Sequence, residues 1–262
     1  MEIVGYIVAI LIGDSLGLIG SGGSILTVPV LVYLFKVDPI LATTYSLCIV
    51  GVSSIAGVIS KFKQKLLDFK IILAFGIPSM IGVVISRKLL VPSIPAQFKL
   101  FGLMQVSKSN FIMLFFATLM LASAISMITG KNKVESVEQK PNYGFTLSFV
   151  GILEGLITGI VGAGGGFLII PALVLLGKLP MKKAIASSLF IITIKSLFGF
   201  VGDLTHTNVD FQFLFLIILL ATGGIILGNY LNNKMEGAKL KKGFGWFVLA
   251  MSIIIFIEQL VF

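Results

Sequence analysis

Histidine and cysteine are nearly missing from this chain: His206 and Cys48 are single residues among 262. One histidine excludes His-based zinc sites, the HExxH motif and Ser-His-Asp triads. One cysteine excludes a disulfide or a thiolate metal cluster within the chain. Charge is also scarce, at 12% of residues, with 11 acidic against 20 basic side chains. No phosphate-binding Walker motif occurs, so ATP is not the energy source, and no metal or other cofactor is expected. The opening Met-Glu-Ile-Val has no basic n-region, so the first apolar run reads as mature structure and not as a cleaved signal.

Hydrophobic residues fill the space the charges leave. They make up 57% of the chain, and the mean hydropathy is +1.09, values that belong to an integral membrane protein. The apolar runs are long and lack the ten-residue alternation of a membrane barrel, so the expected class is all-α and polytopic. The net charge of +9 does not point to nucleic acid, because the lysines and arginines sit in short loops between apolar runs, the positive-inside pattern. The bilayer is the expected partner.

Two of those runs are interrupted by glycine. Ile3 to Phe35 as one helix is about 50 Å long against a hydrocarbon core of about 30 Å, and it contains Gly20-Ser21-Gly22-Gly23-Ser24. The run before Pro171 contains Gly162-Ala163-Gly164-Gly165-Gly166. Glycine costs roughly 1 kcal/mol per residue in a helix relative to alanine. Clustered glycines therefore predict two half-helices with an exposed backbone between them. The second half-helix presents free N–H groups and its positive dipole end, which attract anions. Paired broken segments in two halves point to the binding site of a transporter.

The two breaks belong to a repeat. Adding 142 carries Gly13, Gly17, Gly20, Gly22, Gly23, Leu26 and Pro29 onto Gly155, Gly159, Gly162, Gly164, Gly165, Leu168 and Pro171. Ala42, Ser46 and Gly57 fall likewise on Ala184, Ser188 and Gly199; further on, Gly82 is matched to Gly228, an offset of 146. The expected organisation is a first repeat over 1–129, a polar cytoplasmic linker over 130–142 and a second repeat over 143–262. Each repeat is a broken re-entrant hairpin followed by three transmembrane helices. The stretch 91–110, with prolines and Lys99 and Lys108, reads as a loop or interfacial helix.

Basic residues choose the topology. If both broken runs cross fully, twelve lysines and arginines share one side against seven. If both dip and return, each repeat has three spans, the second copy is inverted, and the partition is fourteen against five. The sharper bias favours inverted re-entrant hairpins in the cytoplasmic membrane with both termini outside.

The glycine-rich break followed by proline, present twice, resembles the sulfite exporter family of the TauE/SafE type. That resemblance implies a small membrane transporter for sulfur-containing anions: sulfite, thiosulfate or organosulfonates. Helix N-termini favour an anion independently. The expected function is secondary transport by alternating access. A channel of the same fold is the alternative, and a membrane-embedded enzyme is a poorer one, for want of reactive side chains.

The expected substrate-binding residues are Gly20, Ser21, Gly22, Gly23, Ser24 and Gly162, Ala163, Gly164, Gly165, Gly166, with the hydroxyls of Thr44, Ser46, Ser187 and Ser188. Lys195 joins them as a cation inside an apolar run, where it costs about 2.5–3.5 kcal/mol on an insertion scale. A snorkelling or structurally paired lysine is the other reading. Asp14 and Glu154 lie about ten residues into the first half-helices and are candidates for proton coupling, or else packing partners. Asp203, His206 and Asp210 read as a solvated acidic loop.

Overall fold

A computed structural model describes residues 2–19, 24–100, 104–129, 143–204, 207, 209–232 and 237–261. The first half comprises α1 (Glu2–Ile19), α2 (Ser24–Tyr33), α3 (Pro39–Lys63), α4 (Phe69–Ser93), a short hairpin of β1 (Gln97–Leu100) and β2 (Met104–Ser107), and α5 (Lys108–Thr129). The second comprises α6 (Tyr143–Val161), α7 (Gly166–Leu175), α8 (Met181–Asp203), α9 (Phe211–Asn232) and α10 (Gly237–Val261). Six of these helices are long and apolar enough to cross a membrane, and α2 is a shorter apolar helix of 10 residues. Their outer faces carry exposed Ile, Leu and Phe, as lipid-facing surfaces do.

Helix starts repeat with the sequence. Ser24 and Gly166, Pro39 and Met181, and Phe69 and Phe211 are each 142 apart. The last pair, Lys108 and Gly237, is 129 apart because the first half carries the β-hairpin and the second moves directly into α10. The hairpin replaces the loop or interfacial helix expected at 91–110. Its alternating Gln97-Phe98-Lys99-Leu100 and Met104-Gln105-Val106-Ser107 pair in antiparallel register, Gln97 opposite Ser107 and Leu100 opposite Met104.

Contacts obey the same offset and cross between halves. The backbone of α1 meets α9 at glycines: a Cβ on Gly13 would fall on Ala221 O and one on Gly17 on Ile225 O. In the other half, α6 meets α4 the same way, with Gly155 against Ser79 O and Gly159 against Val83 and Ser86. Ser79 and Ala221, and Val83 and Ile225, are 142 apart. Gly82 faces Ile152 O and Gly155 Cα, and Gly224 faces Ile10 O and Gly13 Cα. The partner of Gly82 is therefore Gly224 and not Gly228, and the offset does not change along α4.

Polar contacts repeat too. Asp68 caps α4 and donates its N–H to Ser187 Oγ at 3.1 Å, while Asp210 caps α9 and donates its N–H to Tyr45 Oη at 2.9 Å. Both pairs again differ by 142. At the centre, α3 and α8 cross antiparallel: Thr44 meets Asp203, Ser54 meets Thr193 at 2.8 Å, and Gly57 faces Leu189. The contacts of α1 with α9 and of α6 with α4 advance in the same direction along both chains, so those pairs are parallel.

Helix α4 is not a uniform α-helix. Pro78 has no N–H for the carbonyl of Ala74, and Ser148 of α6 donates to that oxygen at 2.9 Å. Two π turns, Ile72–Gly76 and Ser86–Leu90, flank the α-helical middle. The close glycine seams give a direct expectation: Gly155→Leu must drive α6 off α4, at about 1–3 kcal/mol or more. Gly223, with open space where its Cβ would point, tolerates leucine, and the melting temperatures of the two variants in detergent check the difference.

Candidate functional site

The second break is a turn that requires glycine. Gly162, Gly164 and Gly165 have φ of 70°, 64° and 74°, in the left-handed region that side chains with a Cβ avoid. Continued as a helix, Gly165 would lie about 10 Å beyond Thr158. Instead a Cβ on Gly165 would fall on the Thr158 side chain and the Glu154 carboxylate, so the chain turns back alongside α6 before α7 begins. Gly165 N-caps α7, and Gly164 approaches Ser24, the first residue of α2. The heads of the two short helices thus meet at the middle of the molecule. Ser24 is fully buried there, while Gly20, Ser21, Gly22 and Gly23 lie outside the described residues.

Two buried ion pairs flank this turn. Beside Gly165, the Lys195 ammonium is paired with Glu154 Oε1 and donates to Thr158 Oγ1 at 3.1 Å. The other carboxylate oxygen, Oε2, accepts from Ser79 Oγ at 2.5 Å. Lys195 is 1% exposed and Glu154 4%, so the snorkelling alternative is excluded and two residues singled out separately become one unit. Four elements supply it: α4, α6, α8 and the turn. Removing one member of such a pair leaves a lone buried charge, at about 3–5 kcal/mol.

Beside Gly162 stands the second pair. Arg87 Nη1 contacts Asp203 Oδ2 at 3.0 Å and donates to Thr43 Oγ1 at 2.9 Å, while Thr44 Oγ1 donates to the same Asp203 oxygen at 2.7 Å. Arg87 is 2% and Asp203 7% exposed. This corrects the reading of Asp203 as a solvated loop residue: it ends α8 facing α3 and α4, where an arginine neutralises it. Asp210 is exposed and caps α9, and His206 lies outside the described residues. Sequence reasoning missed Arg87 because it sits next to Lys88 at the end of an apolar run. The π turn that turns it inward has no signature in the sequence, although π turns concentrate at functional sites.

The remaining candidates divide. Thr44 joins the Arg87 pair, and Ser46 is buried with no partner for its hydroxyl among the described residues. Ser187 serves Asp68, and Ser188 donates back to Ile185 O at 2.9 Å; neither hydroxyl is bonded to the turn. Asp14 is half-buried on α1 with Oδ1 unpartnered among the described residues. Ala163 is buried in the turn, and Gly166, also buried, opens α7.

The Glu154–Lys195 pair has no counterpart in the other half. At the positions 142 earlier, Glu154, Thr158 and Lys195 become Ile12, Leu16 and Ser53, and the position 142 after Ser79 is Ala221. Ile12 and Ala221 line an apolar cavity of about 10 Å³; another, of about 70 Å³, lies between Ile72, Ile77 and Phe190. Neither borders the turn.

A polytopic helical bundle, with two broken helices meeting head to head and buried ion pairs at their junction, defines a membrane transporter. Family comparison agrees: the model of the sulfite exporter TauE/SafE family matches residues 6–255, and the chain belongs to that family. Relatives carry transporter names. A probable membrane transporter protein of Xylella fastidiosa is 28% identical over 252 residues, covering 93% of this chain and 90% of its own. The probable membrane transporter protein YunE of Bacillus subtilis is 30% identical over 257 residues, with 90% of each chain covered. One from Methanocaldococcus jannaschii is 30% identical over 210 residues, 78% of this chain and 71% of its own. No solved structure matches.

Proposed function

We propose that this chain is a secondary transporter of small sulfur-containing anions, of the sulfite, thiosulfate or organosulfonate type, working by alternating access across the cytoplasmic membrane. The observation that carries the reading is the Glu154–Lys195 pair held against the left-handed turn at the head of α7. Here the Glu154 carboxylate occupies the place of an anion, between an ammonium, a threonine and the positive end of a short helix. A substrate oxyanion enters by displacing Glu154 from Lys195, and its departure lets the pair re-form. Since the turn lies where the halves meet, rocking one half against the other exposes it to alternate sides.

The proposed architecture is two inverted repeats, 1–129 and 143–262, joined by a cytoplasmic linker over 130–142, with both termini outside. The antiparallel crossing of the equivalent helices α3 and α8 supports inversion. Re-entry is supported by the direction of α1 and α3: Tyr45 meets Asp210 and Gly57 meets Ile225 and Asn229, so α3 runs parallel to α9 as α1 does, and α2 is obliged to bring the chain back. Of the four basic residues over 87–108 that this topology puts outside, Arg87, Lys88, Lys99 and Lys108, Arg87 turns inward and is neutralised by Asp203.

Counterflow tests the reading. Proteoliposomes preloaded with unlabelled sulfite are expected to take up labelled sulfite faster than empty ones, with saturation. Linear flux with single-channel currents identifies the channel instead.

Glu154 is the proposed proton carrier, because its protonation releases Lys195 to the substrate. Glu154→Gln is then expected to retain counterflow while losing acceleration by a pH gradient, read in the same vesicles. Asp14→Asn tests the second candidate carrier in parallel.

A further inference from the structure

Among the described residues, only one edge of the Arg87 guanidinium is used by the protein. Nη1 carries the contacts to Asp203 and Thr43, whereas Nε and Nη2 have no hydrogen-bond partner among the described residues, although the side chain is 1% exposed. Buried donors on a charged group are rarely left unsatisfied. Their position is specific: a Cβ on Gly162 would come within 2.5 Å of Nη2, so the idle edge reaches the turn where only a glycine leaves room. Ser86 Oγ, on the neighbouring residue, is also buried without a partner.

We infer that the Nε–Nη2 edge of Arg87 is a fork for the substrate's oxyanion, a second station three residues along the turn from Lys195. The inference rests on the anion-transport reading and adds the residue that recognises the oxyanion group. An Nε–Nη2 edge presents two parallel N–H donors, matching two oxygens of a sulfite, thiosulfate or sulfonate group bidentately, which an ammonium cannot do. Asp203 orients the guanidinium from the opposite side and acts as an internal competitor for its charge. The fork is one-sided: the residue 142 beyond Arg87 is Asn229, whose Oδ1 is itself buried and unpartnered, and the residue 142 before Asp203 is Lys61. The other half therefore lacks an arginine fork, so the oxyanion is gripped at one end of its path and not at the other.

Titration calorimetry of purified protein with sulfite, for wild type and three variants, is the test. Arg87→Lys keeps the charge and loses the fork, and is expected to weaken binding at least about tenfold. Arg87→Gln combined with Asp203→Asn removes both charges together, which protects the fold, and is expected to weaken binding by at least as much. Asp203→Asn alone removes the competitor and is expected to tighten binding several-fold, a gain that a merely structural ion pair does not produce. Wild-type affinity in the folded lysine and double variants, with no tightening in Asp203→Asn, overturns the fork while leaving the transport reading intact. Absence of sulfite and thiosulfate binding in the wild type overturns both.

Discussion

Lys195→Met is expected to abolish sulfite counterflow, by a hundredfold or more, and to lower the melting temperature as well. The two effects have separate causes. Losing the ammonium leaves Glu154 buried with Ser79 as its remaining side-chain partner among the described residues, a loss on the order of 3–5 kcal/mol. It also removes the cation that receives the substrate. The double variant Lys195→Met with Glu154→Gln separates them, because exchanging a buried pair for neutral groups is often nearly neutral for stability. Its melting temperature is expected to return close to wild type while counterflow stays absent. Recovery of flux in the double variant would show that the pair only holds helices together.

Gly165→Ala is the second large effect, and one methyl group suffices. The backbone at φ 74° costs a residue with a Cβ about 1–2 kcal/mol. The methyl itself lands on the Glu154 carboxylate and Thr158 and within 2.6 Å of Lys195 Nζ. Overpacking of this kind adds about 1–3 kcal/mol, and the ion pair must move to relieve it. Counterflow is expected to fall at least tenfold, with a melting temperature several degrees lower. At Gly223, alanine meets nothing within 4 Å and is expected to change neither, which makes it the control for expression and reconstitution.

Much of the architecture was legible because the bilayer restricts the options. Apolar runs of transmembrane length predicted the long helices, and glycines that no lipid-spanning helix tolerates without reason predicted the turn at Gly162–Gly165. The 142-residue repeat extended further than sequence matching indicated. Gly82 has two candidate partners one helical turn apart, Gly224 and Gly228, and only the atoms each one meets choose between them. The β-hairpin was readable in the alternation at 97–100 and 104–107, but the prolines and lysines around it suggested a loop. Its absence from the second half is why the last helices fall out of the common offset.

The candidate site was half legible for a physical reason. An ionisable residue in an apolar run announces itself, and so Lys195 and Glu154 stood out singly. Their pairing spans 41 residues and depends on α6 and α8 converging on the turn. Arg87 lies at the end of an apolar run and Asp203 at the end of α8, where charges ordinarily meet water, and no property of the sequence distinguished them from solvated neighbours. The π turn around Arg87 and the antiparallel crossing of α3 and α8 bury them; the first is a local turn without a sequence signature and the second a tertiary feature. Ser187 shows the converse: its place in the repeat suggested the site, while its hydroxyl receives the N–H of Asp68.

The central claim is that the turn beside Lys195 receives a small oxyanion. Equilibrium binding of labelled sulfite to the purified protein, compared between wild type and the Glu154→Gln, Lys195→Met double variant at matched melting temperature, addresses it most directly. Saturable binding in the wild type and its loss in the folded double variant is the expected result. Equal affinity in the two proteins contradicts the claim, because a site that survives removal of both charges is not the one described.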